Sequence, residues 1–243
     1  MKKPLIHIGT SGWHYKHWKG VFYPAEVKEA EQFNYYSRHF ATVEVNNSFY
    51  MLPEPGTFTA WKKASPRGFL FSVKASRYIT HMKKLKPDPQ SLRRFFSHAG
   101  RLKEKLGPVL FQLPPKWNIN IERLDAFLSA LPRGHRYTFE FRNHTWYNKE
   151  VYSILEKHNC AFCIYHLEHH LSPLEVTADF VYIRLHGPGN KYQGSYTATA
   201  LKKWAARCTG WWHEKKDVFV YFDNDQAAYA VKNASTLRRL VDA

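Results

Sequence analysis

The chain has 243 residues, 44% of them hydrophobic and 16% aromatic, enough to bury a sizeable core. It shows no apolar run long enough to span a bilayer, and Met1-Lys2-Lys3-Pro4 leads straight into a strand pattern, so no membrane association is expected and a cytoplasmic location is. The net charge of +16, from 36 basic and 20 acidic residues, exceeds what solubility needs and favours an anionic small molecule or nucleic acid as partner.

In chain order, Leu5 to Gly9 reads as the first strand, followed by an aromatic loop carrying Trp13, Tyr15 and Trp18, then a helix from about Ala30 to Phe40. Thr42 to Asn46 is the second strand, and Thr57 is placed to cap a short helix containing Trp61. The third strand runs from Phe69 to Lys74. Asp88-Pro89 has the form of an N-cap followed by proline at the first helical position, and Gly107-Pro108 is read as the stop after that helix. Val109 to Leu113 is the fourth strand, Asn120 caps the next helix, and Tyr137 to Arg142 is the fifth strand. A helix over 147–158 and a strand over 161–165 follow, and the stretch 166–178 is too short and polar for a full sixth helix. Phe180 to His186, a helix from Ala198 to about Glu214, the strand Val218 to Asp223 and a helix from Gln226 to Leu240, with Asp225 as its N-cap, complete the chain.

Eight strands alternating with helices indicate a parallel α/β fold, and the count and length fit one (β/α)8 TIM-type barrel domain over residues 1–243, its sixth helical segment degenerate. An open doubly wound sheet is the alternative, but it would bring continuous apolar strands and a glycine-rich phosphate loop, which this sequence lacks. The strands instead alternate. In Tyr137-Thr138-Phe139-Glu140-Phe141-Arg142 one parity is apolar and the other polar, and Glu44, Lys74, Glu140, Arg142, Arg184, His186 and Asp223 recur at strand ends. Side chains of one parity at the C-terminal ends of barrel strands converge on the mouth where such folds carry their sites.

Three constellations bear on chemistry. Glu44, Glu140, His186 and Asp223 are the candidates for proton transfer, with Lys74, Arg142, Arg184, Asn46 and Gln112 as candidates for holding an anion or its attached groups. Trp13, Tyr192 and Tyr196 are candidates for stacking on a ring, the two tyrosines from a loop placed to act as a lid. Ten lysines and arginines between Lys74 and Lys105 face only Asp88 and Glu104, a basic belt suited to phosphates. Cys160, Cys163 and Cys208 are read as buried thiols, since no second pair completes a zinc site. No cofactor is expected; a divalent metal on Glu44, Glu140, His186 and Asp223 is the minority alternative, and His166-Leu167-Glu168-His169-His170 lacks a metal-binding spacing.

Gly9-Thr10-Ser11-Gly12-Trp13, Glu44-Val45-Asn46-Asn47-Ser48-Phe49-Tyr50, Phe111-Gln112-Leu113-Pro114-Pro115, Phe139-Glu140-Phe141-Arg142 and Arg184-Leu185-His186-Gly187 occur in the order in which the YecE-like family, domain-of-unknown-function family 72, carries them. The resemblance extends over essentially the whole chain. It implies a TIM-type barrel and brings no reaction with it. From the residues alone, the chain is expected to be an enzyme, hydrolase-like or isomerase-like, acting on an anionic ring-containing substrate (sugar phosphate, nucleotide or nucleic-acid fragment) by carboxylate acid/base chemistry. The alternative is a non-catalytic nucleic-acid-binding barrel using the 74–105 region.

Overall fold

The structure is a computed structural model describing residues 5–190 and 192–242. Among these residues, eight parallel strands form a nearly closed barrel: β1 (Ile6–Thr10), β2 (Thr42–Val45), β3 (Leu70–Lys74), β4 (Leu106–Gln112), β5 (Tyr137–Glu140), β6 (Ala161–Leu167), β7 (Phe180–Leu185) and β8 (Asp217–Phe222). Seven α-helices lie between or after them: α1 (Gln32–His39), α2 (Pro55–Ala64), α3 (Pro89–Ala99), α4 (Ile121–Ala130), α5 (Lys149–Lys157), α6 (Ala198–His213) and α7 (Tyr229–Asp242). The β6–β7 connection carries no helix. It holds only a two-residue strand, His170–Leu171, paired antiparallel to the end of β6. None of the described helices is long and apolar enough to cross a membrane.

Strand alternation sorts the side chains into two cores. Tyr137, Phe139 and Phe141 join the large cluster between strands and helices. The opposite parity fills the lumen, where Leu110, Ala161, Cys163, Tyr182, Phe219 and Tyr221 pack together. Hydroxyls thread this second core: Tyr221 OH lies 2.7 Å from Thr42 Oγ1, and Tyr182 OH 2.7 Å from Ser72 Oγ. The lumen therefore grows more polar toward the C-terminal mouth.

The barrel closes between β1 and β2 through a single bridge, Ser11 to Glu44, and through one side chain. The buried Tyr36 hydroxyl of α1 accepts from the Thr10 N–H at 3.0 Å and donates to the Thr42 carbonyl at 3.0 Å, supplying the ladder bond that the strands do not make directly.

Three expectations about element ends need correction. Gly107 and Pro108 lie inside β4 instead of ahead of it; proline has no N–H for the ladder, and the β3–β4 register shifts at that point to accommodate it. α2 starts at Pro55 with Glu54 as its N-cap residue, so Thr57 sits within the first turns and does not cap. Asp225 is not the cap of the last helix, which begins at Tyr229; its carboxylate accepts from Trp18 Nε1 at 2.8 Å and meets His17 Nε2 at 2.9 Å. The caps at Asp88 and Asn120 form as expected, each side chain accepting backbone N–H groups of its first turn.

Candidate active site

β2, β5, β7 and the residues after β5, β7 and β8 bring five charged side chains and a histidine together at the C-terminal mouth. Arg184 is the hub, with its side chain 1% exposed. Its Nη2 donates to Glu44 Oε1 at 2.7 Å, its Nε to Glu44 Oε2 at 3.0 Å, and its Nη1 to Glu140 Oε2 at 2.7 Å. Glu44 also accepts from Ser11 Oγ at 2.7 Å and from Tyr182 OH at 2.6 Å. The second oxygen of Glu140 pairs with Arg142 Nε, and the Arg142 guanidinium lies 4.6 Å over the Tyr165 ring.

His186 is fully buried between two kinds of partner. Arg142 Nη2 reaches its Nε2 at 2.9 Å. Guanidinium nitrogens only donate, so Nε2 accepts and the ring proton is assigned to Nδ1, which donates to Asp223 Oδ2 at 3.0 Å. Burial pushes the Glu140 carboxyl upward, but Arg142 and Arg184 outweigh it and hold it well below the usual carboxylate range. At Asp223 burial is likewise overcome, here by the hydrogen bond from His186 and the charge of Arg184.

Lys74 is different. It ends β3, partly buried, with Nζ 4.2 Å from the Phe49 ring centroid. Among the described residues no carboxylate comes within ion-pairing distance of it: the acidic groups at the mouth pair with Arg142, Arg184 and His186. Burial first, and Arg184 second, lower its pKa from 10.5 to about 8. The mouth is thus a fixed, paired frame of arginines and carboxylates beside one amine without a counter-ion.

The family model described as "Protein of unknown function DUF72" matches residues 7–243. The chain belongs to the DUF72 family. UPF0759 protein YunF of Bacillus subtilis is 25% identical to it, with 98% of this chain and 95% of YunF covered. UPF0759 protein YecE of Escherichia coli is 27% identical over 60% of this chain and 51% of its own length. A DUF72 family protein of Thermotoga maritima superposes with a TM-score of 0.88 at 26% identity, covering 98% of this chain and all of that one.

Within this DUF72 barrel the other expected residues take varied positions. Gln112 lies at the end of β4 in register with Glu140. Tyr192 stands over the site, 39% exposed, with its ring 5.4 Å edge-on from His186. Tyr196 is buried: its hydroxyl accepts from the Gly187 N–H at 3.1 Å and lies 2.9 Å from His166 Nδ1, so it anchors the loop base. Trp13 packs away from the charges, against Phe33 and Trp61, and shares with Asn46 a cavity outside the lumen. Sequence reasoning missed Ser11, Tyr182 and Tyr165. Tyr182 carried a signal, since it shares the strand parity of Arg184 and His186.

The basic belt divides. Lys105 is buried and donates to the Lys62 and Ser65 carbonyls at 2.9 and 2.6 Å, closing the C-terminus of α2. Arg77, Lys84, Lys86, Arg93 and Arg94 are exposed. All three cysteines are free and buried, and burial raises each thiol. Among the described residues no group of three or more His, Cys, Asp or Glu is arranged to hold a metal ion.

Proposed function

We propose that the barrel mouth is the active site of an enzyme acting on an anionic, ring-containing substrate, a sugar phosphate or nucleotide, by proton transfer in a hydrolase-like or isomerase-like reaction. One observation carries this reading: a paired charge network assembled at the mouth leaves the partly buried Lys74 amine without a counter-ion. Such a network contributes little to stability against apolar packing, and a buried amine without a partner costs free energy unless something binds it.

In this reading Glu44 and Glu140 keep Arg184 and Arg142 in place. Glu140, held well below the usual range, stays a carboxylate and serves as counter-charge. Lys74 is suited to accept the proton, because a base works best with a pKa near the working pH. The neutral amine takes the proton, and the ammonium so formed then pairs with the substrate anion. Arg142, whose two nitrogens fix Glu140 and His186, supplies the second positive group, and the His186–Asp223 pair holds that guanidinium in orientation.

The test is a turnover screen over sugar phosphates and nucleotides. Lys74→Ala is expected to lower kcat by about 100-fold or more, and the wild-type rate should rise with pH through about 8, where the amine loses its proton. Full activity in Lys74→Ala, or in Glu140→Gln and Arg142→Ala together, overturns the reading. The second reading, a nucleic-acid-binding barrel, is favoured by the exposed Arg77, Lys84, Lys86, Arg93 and Arg94.

A further inference from the structure

Beside the mouth, outside the lumen, the loop after β1, the end of β2, and helices α1 and α2 line a solvent-open cavity of about 600 Å³, within the size range of small-molecule sites. Its walls are aromatic. Trp13 meets Phe33 at 5.2 Å and Trp61 at 5.3 Å, both edge-on, and Tyr15 closes one side. One face of Trp61 already lies parallel to Phe71 at 6.1 Å, and the edge-on contacts leave other indole surface for a further ring to stack on. Trp13, Tyr15 and Trp61 all stay partly exposed there.

The polar residues lining this cavity are Ser11, Asn46 and Asn47, with His14 and Glu29, an exposed pair 3.9 Å apart. The Asn46 side-chain oxygen is shielded from water and meets no donor among the described residues. A buried amide acceptor left unmet costs on the order of 1–3 kcal/mol. Rotation of the amide toward the cavity offers that acceptor to an N–H on a bound ring edge.

We infer that this cavity binds a flat heteroaromatic ring with an N–H donor on its edge, a purine in size and chemistry, stacked on one of the two indoles Trp13 and Trp61, edge-on to the other, and read by Asn46. The site adjoins the charged frame and shares Ser11 with it: Ser11 lines the cavity while its hydroxyl donates to Glu44, and Asn46 follows Glu44 by two positions. Ring binding here does not depend on the proton-transfer reading.

The experiment is calorimetric titration of the full chain with adenosine and with purine riboside, which lacks the exocyclic amine. Both should bind saturably, adenosine more tightly, and Asn46→Ala should remove the difference between them. Ala60 is exposed on α2 and lines the cavity, so Ala60→Phe fills the space without disturbing the core. It should weaken both ligands about tenfold or more, as loss of base–aromatic stacking does, with the thermal unfolding midpoint unchanged. Unsaturable binding, or equal affinity in wild type and Ala60→Phe, overturns the inference. Lys74→Ala separates the two readings: adenosine binding is retained there even if turnover is lost, and survives if the mouth proves inactive.

Discussion

Arg184 shows how far the mouth departs from a core built for stability. Its guanidinium is buried and joined to Glu44, Glu140 and Asp223. Arg184→Ala leaves two buried carboxylates short of their main partner and is expected to cost about 3–5 kcal/mol in urea unfolding. Arg184→Met with Glu44→Gln removes the uncompensated charge while Glu140 keeps Arg142, and should recover most of that loss. A double variant as unstable as the single one would mean that packing, and not charge, holds this layer. Much of the layer was readable, because Glu44, Glu140, Arg184 and Asp223 sit on inward strand parity. Ser11 was not, since a hydroxyl in a loop gives no periodic signal. Trp13 and Tyr196 were ambiguous for another reason: an aromatic on a loop packs inward or stacks on a ligand with the same composition. Tyr196 packs inward at Gly187, whereas Trp13 packs on Phe33 and Trp61 and still keeps part of its ring exposed at the neighbouring cavity.

Among the elements, the β1–β2 seam is the most exacting. A Cβ on Gly9 would sit 2.3 Å from the Thr42 carbonyl oxygen, so β1 passes too close to β2 for any side chain there. Tyr36 spans the same seam from α1. Tyr36→Phe strips one bridging hydroxyl from a buried N–H and C=O and should cost about 1–3 kcal/mol. Gly9→Ala must part the strands, so it is expected to cost more, with amide exchange rising first at Thr10 and Val43. A neutral Gly9→Ala would show that the barrel opens freely here. Strand and helix identity came through the alternation of residues. The element ends did not where tertiary contact overrode local chemistry. Pro108 reads as a breaker, yet a register shift holds it within β4; Asp225 reads as a cap, yet Trp18 and His17 claim its carboxylate.

At the scale of the whole molecule the charges fall into two populations with different physics. At the mouth Lys74, Arg142 and Arg184 stand against Glu44, Glu140 and Asp223, equal in number and largely shielded from solvent, where salt screens weakly. The excess of +16 is therefore carried elsewhere, in part by exposed residues such as Arg77, Lys84, Arg93 and Arg94, where ionic strength acts fully. An anion seated at Lys74 and a polyanion lying on the outer face must then differ in salt dependence. Single-stranded nucleic acid held by the face should lose affinity steeply with salt, each neutralised phosphate adding about 0.7 to the slope of log K against log salt. Arg93→Glu with Arg94→Glu should flatten that slope by roughly 1.4 if both arginines meet phosphates. The same pair of substitutions should leave a pocket-bound sugar phosphate or nucleotide unaffected, whereas Lys74→Ala should weaken that ligand and spare the polyanion. Filter binding and calorimetry over a salt series measure both. If Arg93→Glu/Arg94→Glu reduces turnover as much as Lys74→Ala does, the outer face belongs to the substrate path, and the two populations act as one.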